Sequence, residues 1–275
     1  MSAPPRPIRA RSALGAAALA LCTASRAQVL PDELYVGGFP FAGEPAFPGL
    51  LARTSGSFRN LAGRSSETRA VNAARIDRWS GELVITGLFS EGAGSSGALL
   101  ELAVDTQGVR SERVLSAGDP RNAVRALAQD ADGGWLCAGF EGVERRRRSD
   151  GCAFDRFDLP SRAWNALAVR PDEERAFVAS FGDGGEIWEL DLRTRGMRLL
   201  LRLADFAWPE EITGLWIHPD DPAAPLWITT LQARASVLAL DLANLALTPH
   251  PAAPPHGLNA IEGTRAGLLY VLGSG

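Results

Sequence analysis

The fold is decided by one stretch, residues 164–201, which reads WNALAVRPDEERAFVASFGDGGEIWELDLRTRGMRLLL. Four short apolar runs follow one another in it, and Pro, Gly and Asp separate them. Short runs broken by such residues are typical of β-strands rather than helices. The third run ends at Asp191, whose carboxylate can accept a hydrogen bond from the backbone two residues on and so open a turn. The stretch therefore predicts four antiparallel strands joined by tight turns.

The beginning of this stretch, Trp164-Asn165-Ala166, recurs along the chain. Equivalent phrases are Val71-Asn72-Ala73, Arg121-Asn122-Ala123 and Leu258-Asn259-Ala260, and Ile212-Thr213-Gly214 is a variant. Their middle residues are between 43 and 50 positions apart. A period of this length with four strands in each repeat predicts an all-β fold, a β-propeller of four-stranded blades. Because a blade buries both of its faces against neighbours, its middle strands are expected to be apolar at nearly every position.

The two ends of the chain bear on the number of blades. The run Leu34–Val36 matches the second strand of a blade, and two further runs before residue 62 match its third and fourth strands. After Asn259 the sequence supplies only a first and a second strand, so we count 21 strands in all. This count favours a six-bladed plan with an incomplete last blade. The alternative is five blades with a leftover strand.

Composition excludes several functions. The 275 residues carry a formal net charge of -4, and all 28 basic residues are arginine. The absence of lysine excludes Schiff-base catalysis, the Walker-type phosphate loop and the kinase lysine. A negative net charge gives no global electrostatic support for nucleic-acid binding.

The N-terminus has the three parts of a secretory signal peptide. Arg6, Arg9 and Arg11 precede an apolar run over residues 13–22, and Ser25-Arg26-Ala27 places small residues at the −3 and −1 positions of a cleavage site. We therefore expect residues 1–27 to be removed and residues 28–275 to form a single β-propeller domain. No other segment is long and apolar enough to span a membrane. The mature domain is therefore expected to be soluble and to be periplasmic or secreted.

Two cysteines, Cys137 and Cys152, remain after this cleavage. In an oxidising compartment such a pair favours a disulfide, although two separate buried thiols are the alternative. The repeat places Cys137 on the second strand of its blade and Cys152 at the start of the third. Antiparallel neighbours bring Cβ atoms close enough to bridge. The sequence thus predicts a Cys137–Cys152 disulfide.

The repeated phrase also predicts where a ligand would bind. Because the innermost strands line the central channel of a propeller, one side chain from each phrase should meet at one mouth: Asn72, Asn122, Asn165, Thr213 and Asn259. Converging amide oxygens suit Ca2+, another divalent cation or a polar ligand. The alternative is that each side chain caps its own turn. Nearby loops hold the carboxylates Glu91, Glu141, Asp183 and Glu186, and Glu262 follows Asn259 on the inner strand. These carboxylates could complete a site or simply be solvated.

Two further sets of residues lie in the predicted loops between second and third strands. One is a recurring apolar position that either packs between blades or forms an apolar rim for a ligand: Phe39, Leu88, Phe140, Phe181 and Leu231. The other is the run Arg145–Arg148, which can bind phosphate, sulfate or uronate but is more often a solvated loop tip.

The last repeat carries a family resemblance. The phrases His256-Gly-Leu-Asn-Ala-Ile261, Gly267-Leu-Leu-Tyr-Val271 and Gly185-Glu-Ile-Trp-Glu-Leu-Asp191 resemble those of the SMP-30/gluconolactonase/strictosidine-synthase-like six-bladed propellers, and NHL-type propellers share much of this phrasing. The resemblance implies a divalent metal at the channel mouth, with Asn165 and Asn259 as candidate ligands and Asn122 next. In this chain Ala replaces the family's Gly after each Asn, and the family's early glutamate has no visible counterpart.

Two functional hypotheses follow. In the first, the protein is an exported β-propeller that binds a small-molecule, glycan or protein ligand on its top face without catalysis. Asn72, Thr213, Glu141 and Asp183 would then contact the ligand. In the second, it is a metal-dependent lactonase or related hydrolase, in which the cation polarises a carbonyl and orients water.

Overall fold

A computed structural model of the chain describes a series of short antiparallel sheets. The description covers residues 34–37, 50–54, 57–60, 68–91, 94–105, 108–118, 124–140, 142–160, 163–170, 174–208, 211–231, 236–251, 258–263 and 268–273. The predicted signal peptide, residues 1–27, lies outside the described residues.

The first three sheets contain eleven of the strands in the described part of the chain. Sheet 1 consists of β1 (Leu34–Gly37), β2 (Leu50–Thr54) and β3 (Ser57–Asn60). Sheet 2 consists of β4 (Thr68–Ile76), β5 (Leu83–Glu91), β6 (Gly94–Asp105) and β7 (Gly108–Gly118). Sheet 3 consists of β8 (Ala126–Gln129), β9 (Trp135–Gly139), β10 (Gly142–Arg146) and β11 (Ala153–Phe157).

The remaining sheets repeat the same order. Sheet 4 consists of β12 (Trp164–Arg170), β13 (Arg175–Ser180), β14 (Glu186–Asp191) and β15 (Met197–Arg202), followed by a 3-10 turn, Leu203–Phe206. Sheet 5 consists of β16 (Ile212–Trp216), β17 (Leu226–Thr230), β18 (Ser236–Leu240) and β19 (Leu247–Pro251). Sheet 6 consists of β20 (Leu258–Gly263) and β21 (Leu269–Gly273). Counted over the described residues, there are 21 strands, the number predicted from the sequence.

Each sheet is a meander, and its turns use the residues expected from the sequence. Asp191, at the end of the third strand of sheet 4, accepts hydrogen bonds from the backbone N–H groups of Arg193 and Thr194 at 3.0 and 2.7 Å. These bonds are the main reason why the pKa of Asp191 is lowered. Asp241 accepts in the same way from Ala243 N at 2.8 Å. The predicted role of aspartate in these turns is therefore confirmed.

The core lies between consecutive sheets rather than within one. Along β13, Ala176 and Val178 pack towards sheet 3, whereas Phe177 and Ala179 pack towards sheet 5. All four side chains are at most 2% exposed, so the strand is buried on both faces. This explains why the middle strands do not alternate between apolar and polar residues, as the sequence analysis expected.

The sheets follow one another around an axis. The first strands contact each other in chain order, β4 with β8, β8 with β12, β12 with β16 and β16 with β20. The row curves far enough for Arg75 on β4 to form an ion pair with Glu262 on β20, with 2.6 Å between Nη1 and Oε2. Four-stranded antiparallel sheets arranged in this way form a β-propeller. We call the side on which the first strands begin the upper face and the side on which they end the lower face.

One blade departs from the prediction. The sequence analysis placed the third strand of sheet 3 at Ala153-Phe154, but these residues begin the fourth strand, β11. The third strand is β10, which includes Arg145 and Arg146. The run Arg145–Arg148 therefore lies on this strand and in the lower-face turn after it, not in a loop between second and third strands.

The predicted disulfide depended on that misplaced strand and is not present. Cys137 on β9 pairs with Glu144 on β10, which in turn pairs with Arg156 on β11. Cys152 precedes β11, so a whole strand separates the two thiols, and both cysteines are free. Neighbouring strands are about 4.8 Å apart, so two cysteines separated by an intervening strand are too distant to bridge. Cys137 is buried and Cys152 is exposed.

Candidate functional site

The repeated phrase coincides with a β-bulge at the upper end of the first strand. In four sheets the pairing with the second strand skips the middle residue of the phrase: Asn72, Asn165, Thr213 and Asn259. A bulged residue has no partner in the ladder, and its side chain is turned away from the regular pleat. The phrase is therefore the sequence of a bulge, which accounts for its recurrence. We refer to these positions as the bulge residues.

In sheet 3 the bulge position belongs to Arg125, not to Asn122. Ala126 pairs with Ala138 just as Ala166, which follows Asn165, pairs with Ala179. The residue before Ala126 is therefore equivalent to Asn165. Asn122 lies outside the described residues, so the structure says nothing about it.

Two bulge residues connect their sheet to the next one. Asn72 Nδ2 donates to the carbonyl oxygen of Val124 at 2.8 Å, and Thr213 Oγ1 donates to that of Leu258 at 2.5 Å. Val124 and Leu258 are equivalent residues, because each directly precedes the bulge residue of the following sheet. These contacts differ from the predicted caps, because both side chains bond to the following sheet. The prediction that Asn72 and Thr213 contact a ligand stays a prediction.

Arg125 also forms a hydrogen bond to the following sheet, but it does so through a guanidinium group. Its Nη1 donates to Asn165 Oδ1 at 2.7 Å, and its guanidinium carbon lies 4.0 Å from the ring centroid of Phe140. Burial lowers the pKa of Arg125. Asn165 Oδ1 is the atom that a metal ion would use, and here it is hydrogen-bonded to a cation. The prediction that Asn165 and Asn259 hold a divalent metal stays a prediction; the side chain of Asn259 is not described.

Two of the predicted carboxylates are paired with arginines. Glu262 pairs with Arg75, and Glu186 accepts hydrogen bonds from Arg202 Nε and Nη2 at 3.0 and 2.9 Å. Asp183 is exposed in the turn between β13 and β14. Glu141 lies outside the described residues, and the side chain of Glu91 is not described. Among the described residues no three His, Cys, Asp or Glu side chains are placed to share a metal ion.

Apolar side chains are exposed on the upper face, where the bulge residues also lie. Phe140 and Leu231, each 37% exposed, follow the second strands of sheets 3 and 5. Phe206, 47% exposed, ends the 3-10 turn that follows sheet 4. Phe181, the equivalent residue in sheet 4, is partly buried and bridges to Glu211. Phe39 lies outside the described residues, and the side chain of Leu88 is not described. Phe140 and Leu231 are thus exposed, as the predicted rim requires.

The lower face carries a feature that the sequence analysis missed. A cleft of about 720 Å³ opens between the turns of sheets 2 and 3, and its lining residues are Ser80, Glu82, Asp130, Asp132, Gly134, Arg145, Arg147, Arg148, Ser149 and Phe154. The lining has three arginines and three carboxylates, so their charges cancel and the cleft has no evident preference for an anion. No sequence motif indicates this cleft, because its lining residues come from separate turns of two repeats.

The arginine run predicted to bind phosphate or remain solvated is held by carboxylates of this face. Arg145 Nε lies 2.6 Å from Asp130 Oδ2, and Arg148 Nε lies 2.5 Å from Asp77 Oδ2. The latter pair joins sheet 3 to sheet 2. Both aspartates are at most 1% exposed. Burial raises the pKa of Asp77, but the hydrogen bonds from Arg148, Trp79 N and Ser80 N outweigh this effect, and the pKa is lowered.

Comparison with known proteins supports the fold alone. No family model matches the chain, and no curated protein matches it. Among solved structures, a nidogen/laminin complex is similar with a TM-score of 0.51 and 13% identity, over 66% of this chain and 66% of that one. The extracellular domain of a putative hybrid two-component system from B. thetaiotaomicron is similar with a TM-score of 0.53 and 11% identity, over 76% of this chain and 26% of that one. The chain thus spans about two thirds and one quarter of these two proteins.

These similarities confirm the predicted β-propeller, while the resemblance to the SMP-30 group stays a prediction. The predicted export also stays a prediction. In the described part of the chain, no helix has the length and apolar character needed to cross a membrane.

Proposed function

We propose that the protein is an exported β-propeller that binds a protein partner on its upper face and has no catalytic role. The observation that carries this proposal is the combination of a cation with exposed apolar side chains on that face: Arg125 stacks on Phe140, and Phe206 and Leu231 are exposed on the two following sheets. Apolar side chains are also exposed on the lower face, Ile76, Trp79, Phe154 and Met197 among them, so apolar exposure alone does not distinguish the two faces. The similar nidogen/laminin structure, a protein complex, adds support for a protein partner.

The charges of the two faces favour the upper one. On the lower face, the exposed Phe154 is covered by Arg145, whose guanidinium carbon lies 5.2 Å from the ring centroid, and Arg145 pairs with Asp130 and Asp132. On the upper face, the guanidinium of Arg125 stacks on Phe140 and has no carboxylate partner in the described part of the chain. The lower-face charges therefore satisfy each other, whereas the upper face offers a cation and apolar groups together.

The test is a capture experiment with matched surface variants. The full exported protein is immobilised and exposed to the exported proteins of the same cells, and each captured protein is then purified and its affinity measured by biolayer interferometry. We expect Phe140→Ser combined with Leu231→Ser to weaken this affinity at least tenfold, and Phe154→Ser on the lower face to leave it within twofold. If Phe154→Ser weakened the affinity more than the double variant did, an upper-face site would be refuted.

The alternative of a metal-dependent lactonase has its own test. Calcium is titrated by calorimetry, and a panel of lactones is screened for hydrolysis with and without calcium. We expect no stoichiometric calcium binding, because Arg125 donates to Asn165 Oδ1, and no turnover. Stoichiometric binding that is lost in Asn165→Ala, together with lactone turnover, would establish the hydrolase instead.

A further inference from the structure

We propose that Arg125 is the anchor of this binding face and takes an aspartate or glutamate side chain of the partner. The inference rests on the proposed function, because it names the group by which the partner is recognised. Arg125 is the bulge residue of sheet 3, so its guanidinium lies at the upper end of the first strand, next to the exposed ring of Phe140.

The charge environment of Arg125 differs from that of other arginines in the described residues. Most of them pair with carboxylates, as in Arg148–Asp77, Arg195–Asp155 and Arg202–Glu186. Among the side chains that the structure describes, no carboxylate lies within ion-pair distance of Arg125, although Arg125 is partly buried. A partly desolvated cation without a counter-ion is costly, and the cost is removed when an anion binds.

The guanidinium is also held in one orientation. Its hydrogen bond to Asn165 Oδ1 and its contact with the face of Phe140 fix the plane of the group. A guanidinium has five N–H donors, and only the bond to Asn165 is made within the part of the chain that the structure describes. The remaining donors form a fork that matches the two oxygens of a carboxylate. Because the fork is already oriented, little conformational entropy is lost on binding.

The exposed apolar side chains on this face favour a peptide over a simple carboxylate. Phe140 lies against the guanidinium of Arg125, and both Phe140 and Leu231 are 37% exposed. An acidic peptide segment offers a carboxylate for Arg125, and its apolar neighbours can contact Phe140 and Leu231.

The test observes the Nε–Hε signal of Arg125 by NMR in the full exported protein, assigned from its loss in Arg125→Lys. The probes are Ac-Gly-Asp-Gly-NH2, its amide counterpart Ac-Gly-Asn-Gly-NH2, and galacturonic acid. We expect the aspartyl peptide to shift this signal saturably and to bind at least tenfold more tightly than the asparaginyl peptide. Binding of the aspartyl peptide to Arg125→Lys, measured by calorimetry alongside the wild type, should be about tenfold weaker, because lysine keeps the charge but loses the fork. Arg193→Gln, which removes an arginine charge at a side chain 78% exposed, should change nothing.

The outcomes separate this inference from the proposed function. Equal effects of the two peptides, or unchanged binding by Arg125→Lys, would overturn the role of Arg125 but leave the partner capture experiment intact. A saturable response to galacturonic acid and not to the aspartyl peptide would support a carboxylate site and overturn the protein partner. A fall in thermal midpoint in Arg125→Lys as large as that in Arg145→Lys would identify Arg125 as a structural residue and also overturn the inference.

Discussion

Asp130 and Asp132 allow the contribution of a buried carboxylate to the free energy of unfolding to be compared with that of an exposed one. Both carboxylates pair with Arg145, at 2.6 Å from Nε and 2.9 Å from Nη2, but their side chains are 1% and 79% exposed. Asp130 also accepts a hydrogen bond from Gly134 N at 2.7 Å. Replacing either by asparagine removes the same charge from the same arginine at almost the same size. The two variants therefore differ in burial and in the hydrogen bond from Gly134 N, whose acceptor oxygen asparagine retains.

The expected magnitudes follow from this difference. In Asp130→Asn one amide oxygen can still accept from Gly134, but the amide group then places an N–H against Arg145 Nε. Loss of a buried charged hydrogen bond costs about 1.5–3 kcal/mol, so we expect Asp130→Asn to destabilise the protein by about 2.5 kcal/mol. This corresponds to a fall of about 5–10 °C in the unfolding midpoint. An exposed pair contributes little, so Asp132→Asn should cost less than about 0.5 kcal/mol.

The assay is urea unfolding followed by tryptophan fluorescence, to which the fully buried Trp135 on β9 contributes. Each variant is also combined with Arg145→Met, so that a double-mutant cycle gives the coupling energy of each carboxylate with the arginine. We expect a coupling above about 1 kcal/mol for Asp130 and near zero for Asp132. Equal costs for the two single variants, or equal couplings, would refute the claim that burial decides the strength of these pairs.

Three further predictions concern other parts of the fold. Gly214→Ala should destabilise the protein by about 1–3 kcal/mol in urea, because its Cβ would lie 2.9 Å from Ile261 N; an unchanged midpoint would contradict this close approach. In native protein freed of residues 1–27, a thiol reagent should label Cys152 but not Cys137, whose pKa burial raises to about 12, and urea should expose both; an intramolecular disulfide in the non-reduced mass would contradict this. Because the pKa of Asp77 in the fold is below its usual value of 3.8, its contribution to stability is complete above that pH and is lost as the pH falls through the lower folded value. The urea midpoint should therefore fall below about pH 4 more steeply in the wild type than in Asp77→Asn, and equal slopes would count against the role of Asp77.

Strands whose signals are local could be predicted from the sequence. The runs within residues 164–201 correspond to the four strands of sheet 4, because Pro, Gly and Asp interrupt the chain where each turn occurs. The third strand of sheet 3 was missed because β10 is rich in arginine. Such a strand reads as a charged loop. Its arginines pair with Asp130, Asp132 and Glu144, and the two aspartates come from another turn.

The candidate site was harder to predict, because it depends on strand register. The phrase Arg121-Asn122-Ala123 matches the other repeats by letter, yet the pairing of Ala126 with Ala138 places Arg125 at the bulge. A shift of three residues separates the two alignments, and no local preference distinguishes them. The tripeptide match therefore pointed to Asn122 and not to Arg125, which we propose as the anchor of the site.

The bonds made by the bulge residues have a consequence for how such rings diverge. Asn72 and Thr213 reach the same carbonyl position of the following sheet with different side chains, and Arg125 reaches the next bulge itself. Selection at this position therefore acts on a hydrogen-bond donor of sufficient reach and not on one amino acid. Each repeat can drift between amide, hydroxyl and guanidinium while the ring stays intact, and a repeat that exchanges a neutral donor for a charged one acquires a new binding group without any change in backbone.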